Sequence, residues 1–184
     1  MTRAGCDNTA VGVLIGGDEG RYLMSARTGW PAGIAPPAGH VFDWDRAGSY
    51  PDAARALVAA ELRLPVKSLD LAAAGGWRAD RCGRPPSLRG VGHEWQIYTA
   101  TASGAADPPR SRARQPRWLD PSEIQQLAAR TAGYAHGQLT DGQFHARPGI
   151  EPAWVAFLTE LGIITLAGPD LAAIDRLART GGPQ

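Results

Sequence analysis

A chain of 184 residues, 43% hydrophobic and 20% charged with a formal net charge of +1, suits one globular domain with a full core. That balance excludes a disordered or fibrous chain and gives no general basis for binding nucleic acid or a membrane. The positive charge is nevertheless concentrated: eight arginines from Arg78 to Arg117 face Asp80, Glu94 and Asp107, a local net of +5, and Lys67 is the single lysine. Arginine suits bidentate capture of phosphate or carboxylate, although a solvated basic loop has the same composition. Cys6 and Cys82 lie far apart with no metal-like spacing, which favours a reducing compartment over a disulfide framework. The start MTRAGCDNTA has no apolar segment of signal-peptide length, and no apolar run reaches the ~20 residues of a bilayer span, so a cytoplasmic location is expected.

In chain order, Ala10–Thr28 holds two short apolar runs broken by GGDEG and reads as a β-hairpin. The Gly- and Pro-rich TGWPAGIAPPAGH reads as a loop with a short strand at Gly33–Ala35. A helix follows, with Ser49 able to accept a bond from the backbone N–H of Asp52, and Pro65 as its stop. LDLAAAGGWRA reads as a strand, and in HEWQIYTA the residues Trp95, Ile97 and Thr99 alternate with Gln96, Tyr98 and Ala100 to give the clearest strand of the chain. AADPPRSRARQP is a basic loop before a short strand at Arg117–Leu119. Asp120 as N-cap, Pro121 at the first helical position and Glu123 as capping-box partner start a second helix that Gly133 closes. The stretch GYAHGQLTDGQFHARPG is irregular, and helices run through EPAWVAFLTELG and PDLAAIDRLART. Trp154, Val155, Phe157, Leu158 and Leu161 of the first cover the sheet or form a dimer interface, so the chain is expected to be a monomer or a homodimer. Strands, one helix, then more strands and helices suggest an α/β or α+β layer structure with a mixed sheet.

The order of PPAGHV, AARALVAAELRLPV, GHEWQIYTA and RWLDPSEIQQL resembles the Nudix superfamily over about Val11 to Leu127. The resemblance implies an αβα sandwich in a single domain over 1–184, with a core of about 10–130 and a C-terminal helical extension of about 150–180. It also implies cleavage of a nucleoside-diphosphate-like or other phosphorylated small molecule, with Mg²⁺ or Mn²⁺ held by helix glutamates. Gly39 matches the leading glycine of the family's signature, Val58 and Leu64 its aliphatic positions, and Glu61 the second glutamate of its Glu-Glu pair. Elsewhere the signature is degenerate. Ala56 stands in place of arginine, Leu57 and Ala60 in place of glutamates, and Arg63 in place of glycine, and the segment from Gly39 to Ala56 is three residues longer than the pattern. Positions 57, 60 and 61 share one helical face, so Glu61 is the single carboxylate left where a cluster would hold the ion. The Gly39 carbonyl and the inserted Asp43 or Asp45 are the nearest substitutes.

Glu61 is therefore the candidate metal ligand, and Glu61 with Glu94 the candidate catalytic pair. Only one of His93 and Glu94 can face a pocket, because strand side chains alternate. Gly39, His40, Arg27, Trp30 and Arg78 are the candidate substrate-binding residues: the arginines for phosphate, and Trp30, with Trp44, Trp77 and Trp95, for stacking a planar group. His136, Asp141 and His145 are too loosely spaced for a metal motif. Three readings stay open: a Nudix-type hydrolase with an altered metal site, a repurposed metal-independent enzyme acting on a small molecule, and a non-catalytic module that binds a ligand or partner.

Overall fold

A computed structural model of the chain describes residues 5–27, 31–107 and 116–181. Strand β1 (Thr9–Ile15) carries apolar side chains to both faces, as a central strand must. Val11, Val13 and Ile15 enter one core; Ala10 and Leu14 enter another on the opposite side. A single 3₁₀ turn leads to β2 (Tyr22–Ala26), followed by the two-residue strands β3 (Ile34–Ala35) and β4 (Ala38–Gly39). The expected hairpin of β1 and β2 does not form. After one bridge, Gly16 to Tyr22, the strands diverge into different sheets. Both have better partners far away in sequence, an outcome that local turn chemistry cannot signal.

Helix α1 (Val41–Trp44) lies in the inserted segment, and α2 (Tyr50–Leu62) is the signature helix. Ser49 caps α2 by accepting the Asp52 N–H. The helix stops at Arg63, in the left-handed region at φ 54, two residues before the expected Pro65 stop. The long strand β5 (Val66–Arg78) pairs antiparallel with β6 (His93–Ala102), and β6 runs parallel to β1. The resulting mixed sheet has the order β4-β1-β6-β5. A second sheet, β3-β2-β7, is closed by β7 (Arg117–Leu119).

Helix α3 (Pro121–Ala135) begins with the expected capping box of Asp120 and Glu123 but runs past Gly133. The stretch expected to be irregular contains α4 (Asp141–Ala146), started by a Thr140–Gln143 capping box. Helices α5 (Pro152–Glu160) and α6 (Gly168–Thr180) complete the chain.

Helix α2 packs Ala54, Leu57, Val58 and Leu62 on one face of the four-stranded sheet. The other face is covered from α3, α5 and α6 by Ile124, Trp154, Phe157 and Ile174. The architecture is the expected αβα sandwich, and the C-terminal helices belong to its core. Trp154 fixes the seam tightly: a Cβ on Gly12 of β1 would lie 2.5 Å from its ring, so only glycine admits the indole here. Among the described residues, no helix is long and apolar enough to cross a membrane.

Candidate functional site

The cavity over Gly39 lies between the two sheets and the signature helix and measures about 240 Å³. β4 presents Gly39 to it, the β4–α1 junction presents His40, α2 presents Glu61, and the end of β2 presents Arg27. The β5–β6 connection adds Arg81 and Cys82, and β6 adds His93 and Trp95. Glu151, at the N-terminus of α5, closes it. Gly39 leaves space that its neighbour needs, since a Cβ there would meet the Trp44 indole nitrogen at 2.6 Å.

Of the residues singled out from the sequence, Glu61, Gly39, His40 and Arg27 are brought together in this cavity. Glu94 is not. It is exposed on the opposite face of β6 and pairs with Arg89 at 3.7 Å, because the alternation that turns His93 inward turns Glu94 out. Arg78 is likewise elsewhere: its guanidinium lies 4.3 Å over the Phe157 ring and pairs with Glu160, beside a separate groove between α5 and α6. Trp30 lies outside the described residues. Asp43 reaches the cavity edge and pairs with Arg84. Asp45 instead accepts the backbone N–H of Ser49 at 2.6 Å, ahead of α2.

The positions implied for Mg²⁺ or Mn²⁺ do not supply a hard-ion cluster. Leu57 is fully buried among Val11, Val13 and Val58, and Ala60 is exposed without a ligand atom, which leaves Glu61 as the helix carboxylate. Ions of this kind prefer several oxygen ligands, so the donor set on α2 does not fit the metal arrangement that the resemblance implies.

A different donor set stands at the cavity wall. Cys6 Sγ lies 3.4 Å from His40 Nε2 and 3.2 Å from His93 Nε2, and with Cys82 Sγ these four atoms all fall within 4.8 Å of one another. Cys6 and His93 are buried, with exposures of 7% and 3%. Each sulfur accepts a backbone N–H from two residues on: Asn8 to Cys6 at 3.3 Å, and Arg84 to Cys82 at 3.4 Å. His93 Nδ1 contacts Asp80 Oδ1 at 3.0 Å, and the same oxygen accepts the Trp95 indole N–H at 3.4 Å. His40 Nδ1 faces Asp43 at 3.9 Å.

Burial opposes ionisation of Cys82, but hydrogen bonds from His40, His93 and the Arg84 N–H outweigh it and bring the thiol down to about 5. Burial equally opposes a charged His93, yet the bonds to Asp80 and Cys82 raise it to about 10. For Cys6, burial prevails and pushes the thiol up. Burial also pushes the Glu151 carboxyl up, against the opposing charge of Arg27.

Sequence spacing hid this set, since its members come from the N-terminal segment, the β4–α1 junction, the β5–β6 connection and the start of β6. Asn8 helps to gather them. Its backbone is left-handed at φ 59, a conformation that asparagine tolerates, and its side chain donates to the Gly92 and Gly90 carbonyls at 2.6 and 3.2 Å. The Cys6 N–H donates to Pro85 O at 2.9 Å.

No family model and no curated protein matches the chain. Solved structures do. The MutT protein from Methanosarcina mazei Go1 aligns with a TM-score of 0.55 and 11% identity, over 86% of this chain and 96% of that one. The E. coli dihydroneopterin triphosphate pyrophosphohydrolase aligns with a TM-score of 0.51 and 12% identity, over 96% and 98%. The NUDIX domain of Shewanella oneidensis NrtR, solved with ADP ribose, aligns with a TM-score of 0.51 and 15% identity, over 67% and 78%. The chain therefore carries the Nudix fold.

Proposed function

We propose that the protein acts on a phosphorylated, nucleoside-diphosphate-like small molecule bound in the cavity over Gly39, and that it does so without the glutamate-held ion cluster that the resemblance implies. The observation that carries this reading is Arg27. Its Nε is buried without a hydrogen-bond partner among the described residues, and its side chain lines the cavity with Glu61 and Glu151. A buried donor left unpaired is costly, and a phosphate oxygen is the acceptor that a guanidinium suits best. The solved neighbours include a pyrophosphohydrolase of a pterin triphosphate and a domain holding ADP ribose, which supports this ligand class.

In this reading Arg27 binds the phosphate and Gly39 keeps the floor open. Glu151, whose carboxyl burial pushes up, donates a proton to the leaving oxygen, and Glu61 orients or deprotonates the attacking water. The test is a panel of nucleoside diphosphate derivatives scored both by thermal stabilisation and by product formation, on the native chain and on Arg27→Gln. Saturable stabilisation with product formation, weakened at least tenfold in Arg27→Gln, is the expected result. Stabilisation without product would leave a binding module, and no response to any compound would reject the ligand class.

A further inference from the structure

We propose that Cys6 Sγ, His40 Nε2, Cys82 Sγ and His93 Nε2 form a closed tetrahedral site for Zn²⁺ in the wall of the cavity. Four observations carry this. The donor set, two thiols and two imidazoles, is one that zinc takes in structural sites. Thiolates also select zinc over the hard ions that glutamates hold.

The spacing fits as well. Zinc–sulfur and zinc–nitrogen bonds of about 2.3 and 2.0–2.1 Å at the tetrahedral angle place sulfur and nitrogen about 3.6 Å apart. Two edges of the set, Cys6 Sγ to His40 Nε2 and to His93 Nε2, are 3.4 and 3.2 Å. The remaining ligand atoms lie within 4.8 Å, so small side-chain movements close the set.

The outer shell is in place too. Both sulfurs accept a backbone N–H from the residue two positions on, which favours the thiolate form. Both histidines turn Nε2 inward and Nδ1 toward a carboxylate, Asp80 for His93 and Asp43 for His40. For His93 that partner, at hydrogen-bond distance, fixes the tautomer and the ring orientation a ligand needs; for His40 the carboxylate stands at 3.9 Å.

Finally, the ligands come from four separate segments. A metal bound there ties the N-terminal segment and the β5–β6 connection to β6 and to the β4–α1 junction. With four protein ligands no position is left for water, so the role is to hold the cavity wall rather than to activate a nucleophile. The rival for the same atoms is Cys82 as a nucleophile, with His93 and Asp80 behind it.

The purified full-length chain, expressed with zinc supplied, is assayed for metal content. It is then stripped with a chelator and titrated with Zn²⁺ or Co²⁺ alone. About one zinc per chain, and a cobalt spectrum of tetrahedral, thiolate-bound character, are expected. Cys82→Ser and Cys6→Ser should each weaken zinc by more than the roughly 10–100-fold that losing an outer-shell partner costs. His145→Gln, remote from the set, should change nothing. If a variant fails to fold, the cobalt titration of the stripped native chain still decides. A second readout is alkylation of Cys82 by iodoacetamide, expected to be slow in the zinc-loaded chain and fast in the stripped one. Equal rates, an octahedral cobalt spectrum, or zinc retained in both serine variants would overturn the proposal. Metal content is read without any nucleotide, so failure of the ligand reading above leaves this result intact.

Discussion

Asp80 Oδ1 stands 3.0 Å from His93 Nδ1 and accepts the Trp95 indole N–H at 3.4 Å, so one buried carboxylate orients a ring at the cavity wall and anchors an aromatic of the core. Trp95 continues inward to Trp154 and Phe157, with ring centroids 6.2 and 5.2 Å away. Removing this carboxylate should therefore register twice. Asp80→Ala is expected to weaken zinc by about 10–100-fold in a chelator competition. It should also destabilise the fold, because the Trp95 N–H is left buried without a partner, at a cost of about 1–3 kcal/mol by urea unfolding. Unchanged zinc affinity in a folded Asp80→Ala protein would separate Asp80 from the site.

Gly12→Ala should destabilise the chain through the core alone. The new methyl would lie 2.5 Å from Trp154, and overpacking of this kind costs about 1–3 kcal/mol. In a Trp154→Phe background the added cost should shrink, because the clashing part of the indole is gone. Urea unfolding of the four proteins of this cycle measures the coupling, and strict additivity would contradict the packing described.

Placing glutamates at positions 57 and 60 of α2 separates a structural position from a surface one. Leu57 is fully buried in the core beneath α2, so Leu57→Glu buries an unpaired carboxylate and should cost about 3 kcal/mol or more. Ala60 is exposed, and Ala60→Glu should stay within about 0.5 kcal/mol of the native chain. Equal denaturant midpoints for the two variants would mean that Leu57 does not seal the core.

Glu151 provides a pH signature. It is 5% exposed, and burial pushes its carboxyl above the ordinary range, so the folded state favours the protonated form. The sign follows by linkage: the stability it contributes is fully present below the unfolded value of about 4.3 and is lost as pH rises through the higher folded value. Glu151→Gln keeps an acceptor for the Trp154 N–H, which Glu151 Oε2 accepts at 3.2 Å, but cannot ionise. Its stability relative to the native chain should therefore increase from about pH 4.3 upward. Thermal unfolding across that range measures it, and parallel pH profiles would count against a buried carboxyl.

Much of the frame could be read from local chemistry. The alternation from Trp95 to Ala100 defines β6, and the Ser49 cap and the Asp120–Glu123 box start α2 and α3 where the sequence says they should. Helix α4 escaped because its Thr140–Gln143 box sits among glycines and polar residues, with Phe144 as its single buried side chain. The separation of β1 from β2 was beyond local reading, since parallel pairing with β6 more than eighty residues away decides it. The same distance concealed the cysteine–histidine set. Cys6 meets His40 across 34 positions and His93 across 87, so no spacing motif exists to be found. Glu61 and His40 could be placed through the resemblance, whereas the outward turn of Glu94 needed the register of β6.

The parting of β1 and β2 also bears on how the cavity responds to what it holds. Arg27 follows β2 of the smaller sheet, while Gly39 and His93 belong to the larger one. A phosphate gripped by Arg27 over Gly39 would bridge two separately hydrogen-bonded layers. Ligand affinity and the cohesion of those layers are then thermodynamically linked, so core substitutions along the shared seam should tune binding without touching any residue that meets the ligand.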